Sequence, residues 1–128
     1  MIDIENERVV KELWDASNRQ DMETLANLLS DDLVFIRVHL TKQSKEEWLK
    51  ELLHEWEAFQ DAKTEIRTIM SKGNTVMTEA DWRGTWKNEY LGRPPTSQVI
   101  EFPVAYLFEV EEGKIKQIRS YWNTALIS

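Results

Sequence analysis

Ile100-Glu101-Phe102-Pro103-Val104-Ala105-Tyr106-Leu107-Phe108-Glu109-Val110-Glu111 is the stretch that decides the fold. Ile100, Phe102, Val104, Tyr106, Phe108 and Val110 fall on one side of an extended chain. Glu101, Pro103, Glu109 and Glu111 fall on the other, because successive side chains of a strand point to opposite faces. A strand this long, with one apolar face and one acidic face, needs a partner layer over the apolar side. The same period of two runs through the neighbouring sequence and predicts strands over 62–71, 75–87, 98–110 and 114–123. On these strands Ile66, Met70, Val76, Ala80, Trp82, Ile118 and Trp122 share the even-numbered, inward face. Lys63, Glu65, Arg67, Glu79, Asp81 and Arg83 stand on the odd one. Lys72-Gly73-Asn74 and Glu111-Glu112-Gly113 read as tight hairpin turns, and Leu91-Gly92-Arg93-Pro94-Pro95-Thr96-Ser97 as a longer, stiffer connection.

Upstream of Asp61 the period changes to that of a helix. Val9, Val10, Leu13 and Trp14 predict an amphipathic helix near 4–19. Asp21 caps a shorter one near 21–29, alone, since Thr24 stands where a capping box needs Glu or Gln. Ser44 and Glu47 form a complete capping box that opens a third helix near 44–59, with Trp48, Leu49, Leu52, Leu53, Trp56 and Phe59 on its apolar face. His54 lies opposite that face and is expected to be exposed and inert. Between the second and third helices, Leu33-Val34-Phe35-Ile36-Arg37-Val38-His39-Leu40 reads as a strand whose core face is Val34, Ile36, Val38 and Leu40. The expected architecture is α+β: a cone-shaped, curved sheet of long antiparallel strands, its concave face covered by three N-terminal helices. One domain spans 1–128, a length that suits a single core.

Composition narrows the function. The formal net charge is −7, with the acidic residues spread along the chain, so phosphate backbones and anionic lipid are repelled and neither nucleic acid nor membrane is an expected partner. There is no cysteine, which removes thiolate metal sites and cysteine nucleophiles, and the two histidines stand on different elements. No metal site and no cofactor are expected. The N-terminus lacks the pattern of a secretion signal and no apolar run suits a membrane span, so a cytoplasmic location is expected.

Trp82-Arg83-Gly84-Thr85-Trp86, Glu89-Tyr90-Leu91-Gly92-Arg93-Pro94-Pro95-Thr96, Glu101-Phe102-Pro103, Phe108 and Gly113-Lys114-Ile115 together resemble the SnoaL-like polyketide cyclase branch of the nuclear transport factor 2-like superfamily. Gly92-Arg93-Pro94-Pro95-Thr96 is the most specific part. The resemblance implies a cone fold, sheets that pair into a homodimer, and an acid/base Asp on the last strand assisted by a His on the strand before. Counted from Gly113, those positions hold Ser120 and Tyr106. A serine hydroxyl without an adjacent base does not remove a carbon-bound proton near neutral pH.

Tyr106 and Ser120 nevertheless share the inward face of hairpin neighbours, where their hydroxyls meet a ligand, each other or backbone. Trp14, Trp56, Trp82, Phe102, Phe108 and Trp122, with Trp86, are more aromatic bulk than a helix-on-sheet interface of this size requires, and point to a cavity in which a flat apolar molecule stacks. His39, two residues after Arg37, is a candidate base or anion contact at a pocket mouth, or else an exposed edge residue. Asp81, with Arg83 and Glu79, reads as a solvated or subunit-facing charged row. Two functions stay open. One is a binding module for a small hydrophobic, aromatic or polycyclic ligand. The other is an enzyme of the cyclase, isomerase or lyase kind using a non-standard acid/base such as Tyr106, His39 or Asp81. The inward face offers only hydroxyls on this reading, which favours binding. Leu107, Ala105 and Ile69 on the outer face are expected to support the homodimer.

Overall fold

The computed structural model describes residues 2–38 and 41–123. Three helices, α1 (Ile2–Arg19), α2 (Met22–Asn27) and α3 (Lys45–Ala58), accompany six strands: β1 (Leu29–Ile36), β2 (Lys42–Ser44), β3 (Lys63–Lys72), β4 (Thr75–Thr85), β5 (Val99–Glu111) and β6 (Lys114–Tyr121). The strands form one sheet in the order β2-β1-β6-β5-β4-β3. All neighbours are antiparallel except β1 and β6, which run parallel with Phe35 opposite Ile118.

Each helix starts and stops for a local reason. Asp21 accepts the Thr24 N–H at 3.1 Å and caps α2, while Ser44 and Glu47 exchange both bonds of a capping box on α3. Gln20 closes α1 in the left-handed region (φ 56), and Asp21 N–H returns to the Ala16 carbonyl at 2.9 Å. Val10, Leu13, Trp14, Leu25, Leu52 and Trp56 then bury their apolar sides against Phe108, Val110, Ile115 and Ile118 of the sheet.

β5 follows its sequence pattern, with Phe102, Val104, Phe108 and Val110 buried, and β4 does the same through Val76, Thr78, Ala80 and Trp82. Two bulges break the parity elsewhere. On β3 the register shifts between Ile66 and Thr68, so the residues beyond it change sides. Ile69 packs against the core and Met70 is 53% exposed, the reverse of the expected assignment. On β6 a shift opposite Glu109 and Val110 lets both Ile115 and Ile118 face inward. β1 also departs from expectation. It begins at Leu29, and its core face is Leu33 and Phe35, not Val34 and Ile36. The short β2 has no counterpart in the sequence reading. Leu53 of α3 is 47% exposed, so the apolar stripe of that helix is narrower than its composition suggests.

The charged outer row behaves as a solvated lattice: Arg67 meets Asp81 at 2.9 Å and Glu79 at 3.8 Å, and Arg83 meets Glu101 at 3.4 Å. No helix among the described residues is long and apolar enough to cross a membrane.

β3 is an edge strand, and α1 is fastened to it by the Asn18 side chain at one end and by a Ser71–Glu7 hydrogen bond at the other. Asn18 donates to the Thr64 carbonyl at 2.9 Å and accepts the Thr64 N–H at 2.8 Å, satisfying both backbone groups of a buried residue. Asn18→Ala strands both groups and should cost about 1–3 kcal/mol, read as a lower urea midpoint with an unchanged slope.

Candidate functional site

A cavity lies between the helices and the concave face of the sheet. Its wall includes Trp14 and Leu25 from α1 and α2, Phe35 and Arg37 from β1 and its end, Trp48, Leu52 and Glu55 from α3, Trp82 from β4, Phe102, Val104 and Tyr106 from β5, and Ser120 and Trp122 from β6 and its end. Its free volume, taken to water centres, is about 80 Å³. A cavity of roughly 150 Å³ holds a benzene, so the aromatic rings of the wall largely fill the cone with one another. Trp82 stacks on Phe102 at 5.2 Å, Phe102 on Trp122 at 5.0 Å, and Tyr106 rests against Trp14 at 4.8 Å. The aromatic surplus seen in the sequence is mostly spent on this ring-on-ring packing.

Trp14, Trp82, Phe102, Tyr106, Ser120 and Trp122 thus meet at one cavity. Trp56 and Phe108 do not line it; both are buried in the core beside it. Tyr106 and Ser120 face each other directly in the β5–β6 register, with Thr78 opposite Tyr106 on β4. Ser120 Oγ, Thr78 Oγ1 and Trp14 Nε1 are buried with no hydrogen-bond partner among the described residues. Burial raises the ionisation of the Tyr106 and Tyr90 hydroxyls well above the ordinary tyrosine range, so both stay protonated donors at neutral pH. His39 lies outside the described residues, and His54 is exposed. Among the described residues no group of His, Asp and Glu is arranged to hold a metal ion.

The expectation that only hydroxyls face inward is corrected by two charged residues. Glu55 sits one turn before the end of α3, in line with Trp48, Leu52 and Phe59, and its carboxyl reaches the cavity. The residue is half-buried, on a wall made mostly of apolar and aromatic side chains. Removal from water pushes that carboxyl up to about 7, Arg37 opposes the rise, the Glu51 carboxylate adds to it, and a hydrogen bond with the Trp82 side chain opposes it. Arg37 reaches the cavity because β1 faces its odd residues inward. Its Nε donates to Gln43 Oε1 at 2.9 Å, its Nη2 pairs with Glu51 at 2.8 Å, and its guanidinium carbon lies 5.2 Å from the centre of the Phe35 ring. The signal that could have found Glu55 is its spacing: it follows Trp48 by two helical turns and precedes Phe59 by one. A carboxyl poised near neutrality in an apolar wall can take up or release a proton at physiological pH.

A raised carboxyl binds its proton more tightly in the folded than in the unfolded chain. Stability therefore falls as pH rises from about 4.5 through about 7 and is flat beyond. Glu55→Gln should remove this slope and leave the protein more stable than wild type at pH 8, on the order of 2 kcal/mol, with little difference at pH 4. Denaturant midpoints across that range measure it.

The family model for SnoaL-like polyketide cyclases matches residues 6–127. No curated protein matches the chain. Among solved structures, a candidate SnoaL-like polyketide cyclase of Jannaschia sp. CCS1 superposes with a TM-score of 0.90 at 19% identity, covering 98% of this chain and 90% of that one. AclR of Streptomyces galilaeus, described as a candidate hydroxylase, superposes with a TM-score of 0.86 at 22% identity, over 94% and 90% of the two chains. An M. tuberculosis LEH-like epoxide hydrolase superposes with a TM-score of 0.79 at 22% identity, over 96% and 86%. At these identities the likeness is one of fold, and the three names describe different chemistries.

Proposed function

The chain belongs to the SnoaL-like polyketide cyclase family, and on that footing we propose that it binds a small, mostly apolar molecule in the cavity and moves a proton on it, with Glu55 as the acid/base group. The observation that carries this reading is the Glu55 carboxyl, held near neutral ionisation within an aromatic wall. The position that bears the acid/base Asp in related cyclases is Ser120 here, so the ionisable group has moved from the sheet to α3.

The chemistry follows from where charge travels. Ionised Glu55 takes a proton from carbon next to a carbonyl of the bound molecule, and the electron pair moves onto the carbonyl oxygen. Arg37 is the cation on the cavity wall, and the Tyr90 and Tyr106 hydroxyls are proton donors beside it. The negative charge passes from Glu55 to the ligand without any change in the total, so the low-polarity wall is not asked to bury an extra charge. Glu55 then returns the proton at the same or another carbon. Because the free volume is smaller than one ring requires, binding displaces part of the aromatic wall. Trp122 is the suitable ring to move, since it is half-buried and stacks on Phe102 next to the end of β6.

A second reading, binding without chemistry, is favoured by the unpartnered Trp14 Nε1 and Ser120 Oγ, which suit a ligand oxygen and need no base. The two separate in heavy water. With 1-indanone or 2-tetralone as probe, the acid/base reading expects deuterium to enter next to the carbonyl faster than buffer alone allows, with a rate that climbs through pH 7. Glu55→Gln should slow that exchange by about 10²–10⁴-fold while an apolar dye still binds. Dye binding with no exchange in any probe establishes the binder instead.

The homodimer belongs to the same proposal. Met70, Met77 and Leu107 form one cross-strand row on the outer face beside Ala105, with Met70 in the place expected of Ile69. Leu107→Lys should shift the sedimentation coefficient at micromolar concentration from that of a dimer to that of a monomer; a wild type that is already monomeric removes this part of the reading.

A further inference from the structure

Arg37 is held by contacts from three elements. Its Nε is bonded to Gln43 of β2, its Nη2 to Glu51 of α3, and its planar face lies over Phe35 of β1. Gln43 Nε2 donates in turn to Glu51, closing a ring of three side chains. Glu55 stands one helical turn beyond Glu51 and feels the same cation, yet no Arg37–Glu55 ion pair forms within 4 Å. Two carboxylates thus compete for one guanidinium, and Glu51 has it.

We propose that Glu51 and Gln43 are positioning residues: they hold the Arg37 guanidinium beside Glu55 but turned away from it, so that the Glu55 carboxyl stays free to exchange a proton with a bound molecule. This rests on the reading of Glu55 as the acid/base group. A guanidinium that met Glu55 in a paired, charge-assisted contact would hold it as an inert carboxylate. A guanidinium removed altogether would leave the carboxyl protonated and without a cation for the charge that forms on the ligand. Gln43 matters because Arg37 has several rotatable bonds and Glu51 alone contacts only one end of its fork. The short β2 is the element that delivers Gln43. The other titratable groups facing Glu55 are Tyr90, from the β4–β5 connection, and Tyr106, from β5; both are neutral donors at the relevant pH.

The Trp82 indole, which shares the cavity wall with Glu55 and acts on its carboxyl, is the probe. In protein labelled with ¹⁵N-tryptophan its resonance, assigned through Trp82→Phe, should titrate with a midpoint near 7. Gln43→Leu changes no charge. By freeing the guanidinium to turn toward Glu55 it should weaken proton binding about tenfold, moving the midpoint down, and slow deuterium exchange in the probe ketone. In an Arg37→Gln background Gln43→Leu should move nothing. A well-dispersed amide spectrum confirms folding for each variant, and Gln43→Met serves if the leucine does not fold. A Gln43→Leu or Gln43→Met midpoint equal to wild type overturns the proposal. So does an equal shift with and without Arg37. A wild-type Trp82 signal that does not titrate between pH 5 and 9 removes the Glu55 reading itself, and the proposal with it.

Discussion

Phe59, at the end of α3, docks on Gly84 of β4, and the cavity depends on this contact. The Phe59 ring sits edge-on to Trp82 at 4.9 Å and to Tyr90 at 5.4 Å, with Trp86 at 5.9 Å. A Cβ at residue 84 would lie 3.1 Å from the Phe59 Cβ and 3.0 Å from Trp82, so any side chain there would push the helix end or the indole back by a few tenths of an ångström. The Ala58 carbonyl accepts Lys87 N–H at 2.8 Å, and Asp61 accepts both the N–H and the hydroxyl of Thr85. These bonds fix the last turn of α3 against the end of β4. Glu55 lies in that turn, so the same docking sets its place on the cavity wall beside Trp82 and Tyr90.

On the proposed reading, one cone keeps a proton-transfer site while changing its address. On that reading the position on β6 where the resemblance implies an acid/base Asp carries Ser120, and the ionisable group is Glu55 of α3, which lines the same cavity. What a site of this kind needs is a carboxyl with little water, a cation that does not bind it, and donors for the charge that leaves it. Any wall of the cone can present these, because helices and sheet point at the same small volume. Ser120 Oγ and Trp14 Nε1, unpartnered on the same cavity wall, are on that reading the polar atoms that suit a ligand's oxygen.

The sheet was largely legible in the sequence because β4 and β5 alternate without interruption, and the capping residues Asp21 and Ser44 announce their helices. What escaped the reading has physical causes. The bulges of β3 and β6 arise in the pairing between strands, which a single strand's pattern does not record, so Ile69 and Met70 exchanged faces. β1 offers apolar residues at every position from Leu33 to Ile36, so alternation could not choose its inward side, and the wrong choice sent Arg37 to solvent. Glu55 carries a charge of the kind that usually marks the exposed side of a helix. Its spacing from Trp48 and Phe59 was the better guide, since burial of a carboxyl is what makes it useful. β2 has three residues, too few for any period to register.

The parallel pairing of β1 with β6 joins residues near the start of the chain to residues near its end, Leu29 with Ile115 and Ile36 with Arg119. During synthesis, then, the helices, β1 and the hairpin β3–β4 all leave the ribosome before the strand that β1 must lie against exists. Until β6 emerges, β1 has only the three residues of β2 to pair with, and its apolar Leu33 and Phe35 await a cover. The cone closes only when the final strand is inserted between β1 and β5. Closure of the sheet therefore waits for Lys114–Tyr121, and without that strand β1 and β5 are left with two unpaired edges in place of a cavity.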